Sequence, residues 1–243
     1  MDWKPARCVV VGASGGIGRA FVENLSMRDD VEVVYALSRA GKHEPSDDQI
    51  VPMSLNYEEP AAIECIAGDI AGAGPLDLVI VATGLLHEGQ FRPEKSLREL
   101  DPVWLERTFK VNVIGPSLVA RHFLPIMRRE GKSVFAALSA RVGSISDNRL
   151  GGWFGYRSAK AALNQMLKTA SIEHARRWPD GIVLGLHPGT VDTDLSQPFQ
   201  RNVPEGGLFS AVQCVDHLMN VIDQSSPQMT GKVIAWDGQE VPA

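Results

Sequence analysis

The stretch RCVVVGASGGIG, residues 7–18, restricts the fold more than any other part of the chain. Arg7–Val11 is a short apolar run, and a glycine-rich loop cuts it off. Beyond the loop, Ile17, Phe21 and Leu25 recur at four-residue spacing, which is one face of a helix. A strand, a tight loop and a helix make the first part of a βαβ unit, because parallel strands need a long crossover between them. Gly12, Gly16 and Gly18 allow the tight turn and let main chain approach a pyrophosphate at the helix N-terminus. The spacing is G-x-x-x-G-x-G rather than G-x-G-x-x-G. A plain turn is the other reading of such a loop, but its place between strand and helix favours nucleotide binding.

The same alternation continues along the chain. VEVVYAL (31–37), IVPMSL (50–55), LDLVIVA (76–82), SVFAAL (133–138), IVLGLH (182–187) and KVIAW (232–236) read as strands. Pro52 makes the second of these an edge strand or an irregular one. Between them, Ile63, Ile66, Ala67 and Ile70 mark a helix stripe. Val119, Phe123 and Ile126 mark a long helix running from near Pro102 to before Gly131. Ala159, Leu163, Met166 and Ala170 mark another, and a last helix is expected near 207–222. Seven strands with helices between them predict an α/β, doubly wound Rossmann-type fold, with a parallel sheet and helices on both faces. The 243 residues suffice for one large core, and no repeat or linker divides them, so a single domain over 1–243 is expected.

The second strand ends at Ser38 and Arg39, about 20 residues past the loop, where a dinucleotide site reads the ribose. No acid stands there to hold a 2′-hydroxyl. Arg39 can meet a 2′-phosphate through its charged fork, which points to NADP(H) over NAD(H). The alternative is an ordinary solvated arginine. YRSAK then places Tyr156 and Lys160 four residues apart, on one helix face. An ammonium nearby pulls a phenol's pKa down. Moving it from ~10 to ~7 takes roughly 4 kcal/mol, and a pair at 4 Å in water supplies only ~1 kcal/mol. Such a proton donor needs a partly dry site and further positive charge, such as a bound cationic ring.

Other chemistries find little support. Net charge is −5 without a basic run, so no nucleic-acid partner is expected. The start of the chain reads as neither signal peptide nor membrane span. Cys8, Cys65 and Cys214 fit no disulfide or zinc spacing and read as buried thiols of a reducing, cytoplasmic compartment. The sequon at Asn24 lies in an expected helix and reads as chance. His43, His87, His122, His174, His187 and His217 are scattered, so no metal site is expected. His122 is expected to pack in a helix. A hydrolase would want G-x-S-x-G, which is absent.

Taken together, GASGGIG at 12–18, ATG at 82–84, NVIG at 112–115, YRSAK at 156–160 and PGTVDT at 188–193 resemble the classical short-chain dehydrogenase/reductase superfamily over nearly the whole chain. LSARVGSISDN and HPGTVDTDL are similar to the subgroup of C-factor signalling proteins and small carbonyl reductases. The resemblance implies an NADPH-dependent reduction of a small ketone or aldehyde. Tyr156 would donate the proton. Lys160 would lower its pKa and bind the nicotinamide ribose, and Asn112 would hold a relay water. Gly12, Ser14, Gly16, Ile17, Gly18, Ser38, Arg39, Ala82, Thr83 and Gly84 would lie along the cofactor. Pro188, Gly189, Val191 and Thr193 would lie at its nicotinamide end. A homodimer or homotetramer is expected.

Several positions depart from the family pattern. Val11 stands where a threonine is usual, Ala82 where an asparagine is, and Ser54-Leu55-Asn56 where an acid is. The family serine, three before Gly143, falls on Ala140. Ser139 precedes it and Ser144 follows the glycine. Ser139 is the preferred substitute, because it directly follows a strand whose C-terminal end faces the ligand. Leu150, Trp153 and Phe154 either line a substrate pocket or cover the core or a subunit contact. Arg141 and Arg149 either meet an anionic substrate or are simply solvated. The rival function is a nucleotide-binding regulatory protein of the C-factor type with weak or no turnover. A nucleotide-sugar epimerase is a third reading, which the loop spacing and short C-terminal part disfavour.

Overall fold

The computed structural model describes residues 5–43 and 47–243. The first four residues of the chain's start lie outside them. Seven strands form one parallel sheet: β1 (Ala6–Val11), β2 (Val31–Ser38), β3 (Ile50–Ser54), β4 (Leu78–Val81), β5 (Ser133–Leu138), β6 (Gly181–His187) and, near the C-terminus, Val233–Ala235. A separate two-stranded parallel pair, β7 (Thr190–Val191) and β8 (Leu208–Phe209), lies beyond the end of β6 and leaves the seventh sheet strand as β9. The order is β3-β2-β1-β4-β5-β6-β9, which reverses direction between β1 and β4. Pro52 sits in β3 at the sheet edge, where a missing N–H costs no ladder bond.

Neighbouring residues in a strand face opposite ways, and β1 uses both. Cys8 and Val10 pack with α1 (Gly16–Ser26) and α6 (Ala211–Gln224) on one face. Val9 and Val11 pack with α2 (Pro60–Gly72), α4 (Gly115–Phe123) and α5 (Phe154–Ala175) on the other. Helix α6 starts later than expected, because 208–209 is strand and Ser210 and Gln213 close a capping box.

The long helix near 102–126 is a composite. It comprises α3 (Pro102–Phe109), a π-helical turn at Lys110–Ile114, α4, and a 3₁₀ turn at Leu124–Ile126. Two other expectations are corrected. Leu167 is buried on α5 and Met166 is exposed, so the inward stripe runs 159, 163, 167. Cys65 is exposed on α2, whereas Cys8 and Cys214 are buried. His122 is half-buried on α4.

Candidate active site

The C-terminal ends of β1, β2, β4 and β5 open on a cavity of about 900 Å³. It straddles the reversal between β1 and β4, where open α/β sheets bind ligands. The loop after β1 forms one wall. Gly12 has φ +87°, and a Cβ on Gly18 would stand 2.1 Å from the Gly12 carbonyl oxygen, so only glycine lets α1 start this close to the strand. Val11 is no weakness, since Gly12 and Ala13 both donate main-chain bonds to Leu37 O.

Most of the expected residues converge on this cavity. Gly12, Ser14, Gly16, Ile17, Ala82, Thr83 and Gly84 line it. So do Ser38, Arg39, Ser139, Tyr156, Lys160, Pro188 and Thr193. Gly18 is buried behind the loop. Gly189 lies against the rings of Phe209 and Trp236, and Val191 points into the core, so these three support the wall without lining it. Leu150 is 92 % exposed and does not line this cavity. Arg141 pairs with Asp147 at 2.6 Å.

Three features mark a dinucleotide-sized cradle. The hydroxyl of Ser38 is buried and lacks a partner among the described residues. The Arg39 side chain is exposed beside it, with no bond or ion pair recorded among the described residues. A Cβ on Gly16 would come within 2.7 Å of Thr193 Cγ2, so the loop glycine and the 188–193 segment close on each other. The residues present fit a bound nicotinamide dinucleotide.

At the other end lies the Tyr–Lys pair. Lys160 is 2 % exposed and donates to Leu138 O at 2.8 Å. Its Nζ lies 5.6 Å from the centre of the Tyr156 ring. Burial lowers its pKa to about 8. Burial also raises the Tyr156 phenol above its ordinary value. The ammonium is held by a main-chain carbonyl, and desolvation dominates both groups.

Asn112 is buried in the π-helical turn. Its side chain donates to Leu85 O and Thr108 O and accepts from Leu85 N–H. That fork is fully engaged in holding the loop after β4, and the π-helical turn places it there. Ser139 donates to Asn164 Oδ1 at 2.5 Å from the cavity wall. Ser144 accepts from Asp147 N–H and donates to Ala243 O, away from the cavity.

Residues 6–204 match the sequence profile of the family described as short chain dehydrogenase. The chain belongs to this family of NAD(P)-dependent oxidoreductases. As a short-chain dehydrogenase it is 32 % identical to C-signal of Myxococcus xanthus over 170 residues, 70 % of this chain and 93 % of that one. It is 28 % identical to 1-hydroxy-2-glutathionyl-2-methyl-3-butene dehydrogenase of Rhodococcus sp. strain AD45, over 95 % of this chain and 96 % of that one. Its fold superposes on the NADPH-bound carbonyl reductase from chicken fatty liver with a TM-score of 0.86 at 22 % identity, covering 100 % and 96 % of the two chains.

Several lining residues of this dehydrogenase are unexpected. Tyr57, just after β3, bonds Thr83 Oγ1 at 3.0 Å. Arg107 holds both Glu88 and Glu58, and Lys110 also pairs with Glu58, so a charged lattice borders the cavity. Arg107, and then Arg39, hold the Glu88 carboxyl below its ordinary range. In sequence, charges three apart on a helix look like any solvated face, so nothing signalled this group. Among the described residues no cluster of metal-ligating side chains occurs, and no helix is long and apolar enough to cross a membrane.

Proposed function

We propose that this short-chain dehydrogenase is an NADPH-dependent reductase of small ketones or aldehydes, with Tyr156 as proton donor. The observation that carries the reading is the placement of Tyr156 and Lys160 on the same cavity as the glycine loop and Arg39. When bound, the nicotinamide supplies the hydride and, once oxidised, a cationic ring.

The chain's own residues supply the rest. Arg39 and Ser38 would hold the 2′-phosphate end, and the loop N–H groups would hold the pyrophosphate. Pro188 and Thr193 line the cavity and would border the nicotinamide end. Hydride arrival turns the carbonyl into an alkoxide, which takes its proton from Tyr156 Oη. Lys160 holds its ammonium at the ribose end and, with pKa near 8, passes a proton on to the phenolate. The raised phenol keeps its proton until positive charge arrives beside it. Ser139 is the hydroxyl placed to orient the carbonyl.

The regulatory reading has less support. C-signal is a relative, but Tyr156, Lys160 and Asn112 are all retained. One domain, and a dimer or tetramer paired through α5, the helix that bears Tyr156, complete the proposal. Met166 and Ile172 are exposed apolar residues of α5, which supports the pairing.

The test is NADPH consumption with a panel of aliphatic and aryl carbonyl compounds. Wild type should turn over at least one class. Tyr156→Phe should lose about 10²- to 10⁴-fold in kcat while NADPH affinity is kept. Activity of the Phe variant close to wild type would remove Tyr156 from the mechanism.

A further inference from the structure

We propose that Glu94 is a positioning residue for Tyr156, acting from 61 residues away as the cap of the helix that carries it. The inference rests on the proposed role of Tyr156. Among the described residues, Trp153 alone of the non-glycines has a positive φ, 53° with ψ 42°. It occupies the N-cap of α5 and offers no side-chain acceptor there. The first amides of a helix have no partner within it, and an N-cap side chain ordinarily takes the second or third.

Glu94 does this instead. Its Oε2 accepts from Gly155 N–H at 3.1 Å, and its main-chain oxygen accepts from Trp153 N–H at 2.5 Å. One residue thus holds both the left-handed turn and the second residue of α5. Glu94 is only 2 % exposed, and its other oxygen, Oε1, is buried without a hydrogen-bond partner among the described residues. A carboxylate in that position is costly, and the positive end of α5 offsets part of the cost.

The surrounding sequence is shaped to let it in. A Cβ at position 155 would stand 2.9 Å from Glu94 Oε1 and 3.1 Å from Leu105 Cδ2. A Cβ at 152 would stand 3.4 Å from Glu94 O.

The displaced cap has a structural reason. Serine or aspartate at 153 would cap α5 locally but would remove the indole. Trp153 instead packs edge-on against Phe199 at 5.0 Å and against Tyr156 at 6.3 Å. Tyr156 directly follows Gly155 in the first turn of α5. Any fraying or rotation of that turn moves the phenol, and displacement of a reacting group by about 1 Å can cost 10²-fold in rate.

The test compares Glu94→Ala, Glu94→Gln and Gly155→Ala with wild type. It reads steady-state carbonyl reduction, NADPH affinity and hydrogen exchange at amides 153–157. Glu94→Ala should lose about 10- to 100-fold in kcat, keep NADPH affinity within about threefold, and exchange faster in that turn alone. Glu94→Gln should stay within about threefold of wild type with the same pH profile, since its amide oxygen can accept the Gly155 bond.

Wild-type kcat in Glu94→Ala, equal losses in Ala and Gln, or a fall in NADPH affinity matching that in kcat would each overturn the proposal. If Glu94→Ala does not fold, Gly155→Ala decides. It should show the same kcat loss with Glu94 still present, and full activity there would overturn the clamp. A wild type without any carbonyl reduction would sink the functional reading alone. Exchange at 153–157 would then still decide for Glu94: unchanged protection in Glu94→Ala counts against it.

Discussion

Lys160 carries two opposed demands. Its charge has to be available at the ribose end of the cavity, yet the side chain is 2 % exposed and held by one carbonyl oxygen. Desolvation lowers its pKa to about 8 from an ordinary 10.5. Below pH 8 both folded and unfolded chains carry the charge, and the folded one bears the full desolvation cost. Between 8 and 10.5 the unfolded chain binds the extra proton, so stability rises with pH. Relative to Lys160→Met, wild type should gain roughly 2–3 kcal/mol from pH 7.5 to pH 10 in urea unfolding. Taking the difference between the two proteins cancels the tyrosine and cysteine titrations they share. A flat difference would mean that water reaches the ammonium. Arg39 poses the converse case, an exposed charge that makes no hydrogen bond or ion pair among the described residues, beside a buried Ser38 hydroxyl that has no partner among them either. Arg39→Ala should weaken NADPH binding about 10- to 150-fold, from one charged contact of ~1.5–3 kcal/mol. NADH affinity should hardly move. Equal affinity of wild type for both cofactors would reduce Arg39 to a surface residue.

The segment leaving β5 shows how backbone geometry divides candidate serines. Ala140, where the family serine falls, has φ −154° and ψ 146°, fully extended, so it and Ser139 face opposite ways. Ser139 lines the cavity, but its hydroxyl proton goes to Asn164 and has to swing to reach a substrate. Ser144 is turned away, bonded to the 147 amide and the carbonyl of Ala243. Ser139→Ala should therefore lower kcat by up to about a hundredfold, the scale of one hydrogen bond to an alkoxide. Ser144→Ala should leave it nearly unchanged, and the reverse pattern in steady-state rates would transfer the role. The same region shows what sequence could and could not reveal. The parallel strands, the glycine loop and the Tyr–Lys face were legible because period-two and period-3.6 patterns are local properties of the chain. The π-helical turn at Asn112 was not, because it is fixed by bonds to Leu85, 27 residues away. Glu94 was invisible for the same reason, and the Glu58–Arg107–Glu88 lattice joins three separate segments.

Across the whole molecule the two ends of the sheet do different work. The C-terminal end holds the cavity. The N-terminal end is closed by Asp77, which is 3 % exposed and precedes β4. It accepts from Arg7 N–H at 2.9 Å and from both Nε and Nη2 of Arg128, tying β1 and β4 to the segment before β5. Arg7, 7 % exposed, reaches on to the Tyr35 hydroxyl of β2. Removing the carboxylate leaves a buried amide without a partner and an arginine without its anion. A full buried pair costs ~3–5 kcal/mol to break. The Arg128 side chain is 35 % exposed and can turn to water, so about 2–4 kcal/mol is the expected loss. For a chain of this size that is roughly 4–16 °C in Tm. The cavity begins at Ala82, five residues on from Asp77 and about 16 Å away at ~3.3 Å each. Asp77→Ala should thus melt early yet keep kcat/KM within about twofold at 25 °C, where it is still folded. If the chain is one domain, as proposed, both core layers share the sheet and the whole transition should move without splitting. Calorimetry alongside the rate assay separates the outcomes. A second transition would divide the domain, and a rate loss in fully folded protein would show that the two ends of the sheet are coupled.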